Sequence, residues 1–217
     1  MFVNVSLMSA AAVASSHNDL PVLERIVAAA ARLIASQGLR ATSVDDIASA
    51  AECGRATVYR YFPGGRAELL EVTLGQGVDR IFASCARVTD HAESLAEAAA
   101  GTINIAVLEL SNDAVLQQLL VDEPDTIATL ISPMRIEPLV ERASEWGVDH
   151  FSRFVEPAIA AHVGEWCVRV VTDHLRSPAP VIDITDAALA RALVETFLIP
   201  TLTPAIAAGL PNPIRSY

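Results

Sequence analysis

Residues 43–62, SVDDIASAAECGRATVYRYF, constrain the fold of this chain more than any other stretch. They read as two short helices joined by a tight turn. Ser43 is a good N-cap, and Asp46 stands three residues on, where its carboxylate completes a capping box. Val44, Ile47 and Ala48 then share one helical face. Ala51-Glu52-Cys53 interrupts that face. A second helix starts at Gly54 or Arg55 and carries Thr57, Val58, Tyr59, Arg60, Tyr61 and Phe62. A supporting helix, a turn of three or four residues and a second helix rich in polar reach is the layout of a helix-turn-helix.

The flanks extend the pattern. A first helix is expected from Pro21 to Gln37, because Pro21 suits a first turn and Gly38 suits a left-handed end. Ile26, Ala29, Ala30, Leu33 and Ile34 form its apolar stripe. After Pro63-Gly64-Gly65 a long helix should run from Arg66 into the eighties. Gly75 and Gly77 within it fit either a bend or close helix packing. Further helical segments are expected at 94–110, 113–121, 124–131 and 134–161, with a break near Pro157. Between His162 and Leu175, Val163, Trp166, Cys167, Val170, Val171, His174 and Leu175 make one unbroken apolar face. A last helix, 185–197, should pair with it across the Pro178-Ala179-Pro180 loop.

Composition agrees with an all-α chain. Hydrophobic residues make up 52% of the 217, but aromatics only 5%, and alanine is abundant. Alanine favours helix over strand, and no run of alternating β-branched residues is present. The formal net charge of −11 argues against a polyanionic partner until its distribution is considered. Cys53 to Ala67 contains Arg55, Arg60 and Arg66 and no acid. Salt screens charges beyond about 8–10 Å, so a small cationic edge can act on an acidic protein. Modest, salt-dependent affinity for nucleic acid is the expectation.

All fifteen basic side chains are arginine, a pattern that codon bias explains for the chain as a whole. A contact role is kept for Arg55 and Arg60. Cys53, Cys85 and Cys167 have no Cys-x-x-Cys spacing, which fits a reducing cytoplasm. Cys85 and Cys167 are expected in the core. Residues 1–19 read as a disordered arm with no basic residue, so neither a secretory signal nor DNA contact is expected of it. No phosphate loop, nucleophile elbow or metal-ligand spacing appears, so no cofactor, metal or catalytic residue is assigned.

Residues 24–72 resemble the N-terminal domain of TetR-type transcriptional regulators. The likeness runs through Gln37-Gly38, the Ala41-Thr42-Ser43-Val44 start of the second helix, Thr57-Val58-Tyr59-Arg60-Tyr61-Phe62, Pro63 and Glu68-Leu69-Leu70. It implies a three-helix DNA-binding domain at 20–65 and a helical ligand-binding and dimerisation domain at 66–217. Two departures stand out. Glu52 replaces the usual turn glycine, so the turn is either strained or shifted. Gly64-Gly65 replaces a Ser-Lys-like pair, so a phosphate contact is either absent or taken by Arg66.

The resemblance further implies a ligand-responsive repressor. Its dimer would join through the last two long helices and read a near-palindromic operator with half-sites about 34–36 Å apart. Arg55, Thr57 and Arg60 would meet base edges. Tyr59, Tyr61, Thr42 and Ser43 would fix phosphates, and Phe62 would anchor the reading helix. A small apolar effector would meet some of Phe82, Ile103, Leu108, Met134, Phe151, Phe154 and Trp166. The rival from another class is an all-α carrier or enzyme of hydrophobic molecules that keeps a vestigial motif.

Overall fold

The computed structural model describes residues 20–130, 132–176 and 182–202. The expectations for residues 1–19 and for the 178–180 loop lie outside the described residues. Among the described residues ten α-helices follow one another: α1 (Leu20–Gln37), α2 (Val44–Ala50), α3 (Arg55–Tyr61), α4 (Arg66–His91), α5 (Leu95–Asn112), α6 (Ala114–Asp122), α7 (Pro124–Leu130), α8 (Pro133–Phe151), α9 (Pro157–Arg176) and α10 (Ala187–Leu193). A wider π turn, Val194–Leu198, and a tighter 3-10 turn, Ile199–Leu202, close the described chain. No strand occurs among the described residues.

The chain divides into two compact units. The first holds α1 to α3, the start of α4 up to Asp79, and the later segment Asp113–Ile127. Its core is built from Ile26, Val27, Ala29 and Ala30 of α1, Ile47 and Ala48 of α2, Ala51, Val58, Phe62 and Leu69. Burying a Val, Ile or Phe side chain fully is worth about 1.5–3 kcal/mol, so this small cluster can hold three short helices that would not persist alone. Gly38 ends α1 in the left-handed conformation at φ +82, as its position in the sequence suggests.

α6 joins this unit from far along the chain by packing on α1. Arg40 is paired with Glu123 at the end of α6, with Nε 2.7 Å from Oε1 and Nη2 3.1 Å from Oε2. Glu123 is buried and Arg40 is exposed. Two parallel bonds to a sheltered carboxylate make a stronger tie than a typical surface pair.

The second unit contains Arg80–Asn112 and Ala128 onward. α5 lies centrally and is packed by α9 and α10. Ala98, Ala99, Ile103 and Val107 of α5 meet Phe151, Ala160, Val163, Cys167, Ala190 and Val194 in one apolar cluster. Burial, aided by the nearby Glu109 carboxylate, pushes the Cys85 thiol up to about 12. Burial also raises Cys167. Both are neutral core groups, as expected. Arg153 donates to the carbonyls of Thr89, Asp90 and Ala92, and so satisfies the end of α4 with a cation where the helix dipole favours one.

Three helix boundaries differ from the sequence-based expectation. The 134–161 segment does break near Pro157, but the break opens earlier: α8 stops at Phe151, and Pro157 begins α9 rather than ending its predecessor. Proline fits a first turn, and Ser152–Glu156 turns the chain where Arg153 leaves to cap α4. The 162–175 stripe is therefore the later part of a longer helix. The last helix also leaves α geometry at Val194, ahead of Pro200, which has no N–H to donate.

The pairing of the late helices differs as well. α9 packs chiefly on α8, while α10 packs on α5. Gly147 and Gly164 sit where the two helix backbones approach: a Cβ on Gly147 would stand 2.5 Å from the Ala160 carbonyl oxygen. Val163, Cys167 and Val171 turn into the unit's own core, with Trp166 and Val170 packed beside them. Much of the stripe assigned from sequence to a subunit seam is thus spent inside the chain.

Candidate nucleic-acid interface

α2 is fixed at its start by the expected capping box. Asp46 N–H donates to Ser43 Oγ at 3.1 Å, and Ser43 N–H donates to the Asp46 carboxylate at 3.0 Å. The Ser43 side chain and then its amide hold the Asp46 carboxyl below the usual carboxylate range. At the other end, Cys53 N–H reaches back to Ala48 O at 2.9 Å. That closure needs a left-handed residue between them, and Glu52 supplies it at φ +54. The chain takes the strained turn rather than a shifted one.

A left-handed non-glycine residue costs about 1–2 kcal/mol, part of which glycine gives back through its freer unfolded chain. Glu52→Gly is therefore expected to stabilise the protein by about 0.5–1 kcal/mol. Thermal melting should rise by about 1–4 °C. A lower melting temperature would show that Glu52 makes a compensating interaction.

Gly54 is the N-cap of α3 and offers no side-chain cap. Val58 and Phe62 point into the core, at 0% and 3% exposure. Arg55, Tyr59 and Arg60 are exposed, with Thr57 and Tyr61 half-buried. The Arg55 guanidinium lies 5.5 Å from the centre of the Tyr59 ring, and that of Arg60 lies 4.9 Å from the Tyr61 ring. Arg55 Nη1 is also 2.6 Å from Asp45 Oδ2 on α2. Sequence spacing gave no hint of this pair, which joins residues ten apart across the turn.

Gly65 explains one departure from the resembled pattern. It is left-handed at φ +63, and a Cβ there would stand 3.3 Å from the Tyr59 ring. Glycine permits both the turn and the ring beside it. Arg66 does not project like the lysine it follows in the pattern. Its Nη1 donates to the carbonyls of Leu39, Arg40 and Thr42, at 3.0, 3.3 and 3.4 Å. It fastens the α1–α2 loop to the start of α4.

Thr42 is a correction. Its side chain was expected on a phosphate, but it is 0% exposed, and its hydroxyl donates to Gly38 O at 2.8 Å. The loop needs that bond to cover the end of α1, so the hydroxyl faces inward. Ser43 remains exposed, with its hydroxyl on Asp46.

The residues expected around an effector fall in the second unit. Phe82 stands 5.9 Å from Trp146, whose ring stacks on His150 at 4.4 Å and meets Phe151 edge-on at 5.3 Å. Arg142 lies 4.4 Å over the Phe82 ring. Ile103 and Phe151 are fully buried core groups. Phe154 and Trp166 pack beside that core, while Leu108 is half-buried on α5. The Met134 side chain lies outside the described residues. Trp146, the hub of the cluster, escaped notice in the sequence because it sits among charged residues in ERASEWGVDH.

α1 packs on α2 and α2 on α3, with a tight turn between the latter two and a polar outer face on α3. This is the architecture of a helix-turn-helix, the layout of many DNA-binding domains. Residues 26–73 match the family described as bacterial regulatory proteins, tetR family. An uncharacterized HTH-type transcriptional regulator of Mycobacterium tuberculosis is 28% identical over 200 residues, which is 88% of this chain and 92% of that one. A second regulator of the same description from that organism is 45% identical over 47 residues, 22% of this chain and 24% of its own length.

Among solved structures, the TetR family repressor AlkX from Dietzia sp. superimposes with a TM-score of 0.63 at 23% identity, covering 79% of this chain and 90% of its own. The N-terminal domain is thus similar to that of the tetR family, and the chain as a whole is similar to HTH-type transcriptional regulators. The relatives and fold neighbours named here are described as transcriptional regulators or repressors.

Proposed function

We propose that this regulator is a ligand-responsive repressor that binds a near-palindromic operator as a dimer and leaves it when a small apolar effector binds. The observation that carries this is the division of α3, with Val58 and Phe62 anchored inward and Arg55, Tyr59 and Arg60 presented outward. Arg55 and Thr57 meet base edges, with Arg60 beside them. Tyr59, Tyr61 and the Ser43 end of α2 hold phosphates. Two half-sites require two such helices, so the acting species is a homodimer. The last two helices, α9 and α10, form the subunit seam, where Leu189 and, just beyond α10, Phe197 stay exposed.

The effector enters the second unit near the Phe82–Trp146–Phe151 cluster, whose rings favour an apolar or aromatic molecule. Fold neighbours lend support. AlkX is implicated in biodegradation of n-alkanes, and the regulator RolR is solved with resorcinol, at a TM-score of 0.53 and 18% identity. Effector and operator weaken one another by the same factor. The protein works in the cytoplasm, where its DNA is. No described helix is long and apolar enough to cross a membrane.

The test is a mobility-shift titration on the DNA upstream of the protein's own gene, at several salt concentrations, against a random duplex. Preferential binding with a steep loss of affinity as salt rises is expected. Equal affinity for both duplexes would end the proposal.

A further inference from the structure

We infer that Asp45 is a positioning residue for DNA recognition: it holds Arg55 in the orientation that reads a base, and so exchanges total affinity for sequence discrimination. This rests on the proposed role of Arg55 and assigns a new role on the neighbouring helix. Asp45 and Arg55 are both well exposed, at 61% and 59% of the side chain, yet their charged atoms meet at 2.6 Å. An exposed pair of this kind adds little to folding, so stability does not account for it. A carboxylate beside a DNA-facing helix also repels phosphates. Its presence on that face costs binding unless it does something else.

The geometry supplies that something. The contact uses one corner of the guanidinium, Nη1. The Tyr59 ring stands 5.5 Å from the same group on the next turn of α3. Two fixed neighbours restrict an otherwise long and mobile side chain. No hydrogen bond to Nε or Nη2 occurs among the described residues. Those two N–H groups form the side edge of the fork, which can pair with guanine O6 and N7. A preset fork loses less rotamer freedom on meeting the right base. It also swings less readily onto a phosphate, which any sequence offers.

The experiment uses the full chain. A preferred duplex is selected from a random pool with the wild type. Binding is then measured on it, on all its single-base variants and on random DNA. Asp45→Ala is expected to tighten binding to random DNA, because an anion is removed. It should lower the ratio of preferred to random affinity by roughly five- to tenfold, with the loss centred on one guanine position. Asp45→Asn keeps an acceptor oxygen without the charge. It should bind random DNA as Asp45→Ala does but recover much of the ratio. In an Arg55→Ala background, Asp45→Ala should leave the ratio unchanged.

A purely electrostatic role predicts that both Asp45 variants strengthen all duplexes equally, with no change in ratio. That outcome overturns the inference while leaving the operator-binding proposal intact. A higher ratio for Asp45→Ala, the sign of a masking contact, overturns it too. A wild type that selects no sequence defeats the underlying proposal instead.

Discussion

Arg55→Ala is expected to weaken operator binding by about 1–3 kcal/mol, a loss of about five- to 150-fold, while binding to random DNA changes much less. The reason is placement. Arg55 is the first residue of α3 and is exposed there, and recognition helices enter the groove by their first turn. Folding should be nearly untouched, because the side chain is exposed and its ion pair is a surface one. Arg55→Lys separates charge from geometry. It keeps the cation but loses the planar fork, so salt dependence should persist while discrimination falls. Anisotropy titrations on preferred and random duplexes measure both. Equal losses on the two duplexes would make Arg55 a phosphate contact and move base reading to Thr57 or Arg60.

Gly164→Ala is expected to destabilise the fold by about 1–3 kcal/mol or more, lowering the melting temperature by about 2–12 °C. A Cβ on Gly164 would press into the Ala143 carbonyl and stand 3.1 Å from the Gly147 Cα. The obstructing atoms are backbone, so no side chain can swing aside. α8 and α9 must separate, and that opens the apolar layer of Ala160, Val163 and Cys167 beside them. Gly147→Ala meets the Ala160 carbonyl and the Gly164 backbone, and should act in the same direction. Thermal or urea melts of the variants are decisive. An unchanged midpoint would mean that the two helices are less closely matched than their backbones indicate.

Local chemistry was legible in the sequence where one residue type has one use. Ser43 with Asp46 marked the start of α2, and Gly38 marked the end of α1. The resemblance marked Phe62 as the anchor of α3, and it is buried. Glu52 was recognisable as a misfit in its turn, and the structure shows which of two outcomes occurred. Cooperation between distant segments was not legible. Nothing local says that Asp45 meets Arg55, that Arg153 caps α4, or that α6 lies on α1. Thr42 misled for a related reason: a threonine beside a DNA-facing helix serves phosphate or its own loop equally well. The late helices misled because alanine- and valine-rich faces look alike whether they meet the chain's own core or another protomer.

The docking of α6 on α1 has a practical meaning for dissecting this protein. The helix-turn-helix unit is assembled from two pieces of sequence separated by more than a helix, and Glu123 of the later piece grips Arg40 of the earlier one. Scissors applied after the first four helices would leave the flank of α1 bare and Arg40 without its anchor. A minimal operator-binding fragment would have to be engineered by splicing, not by trimming.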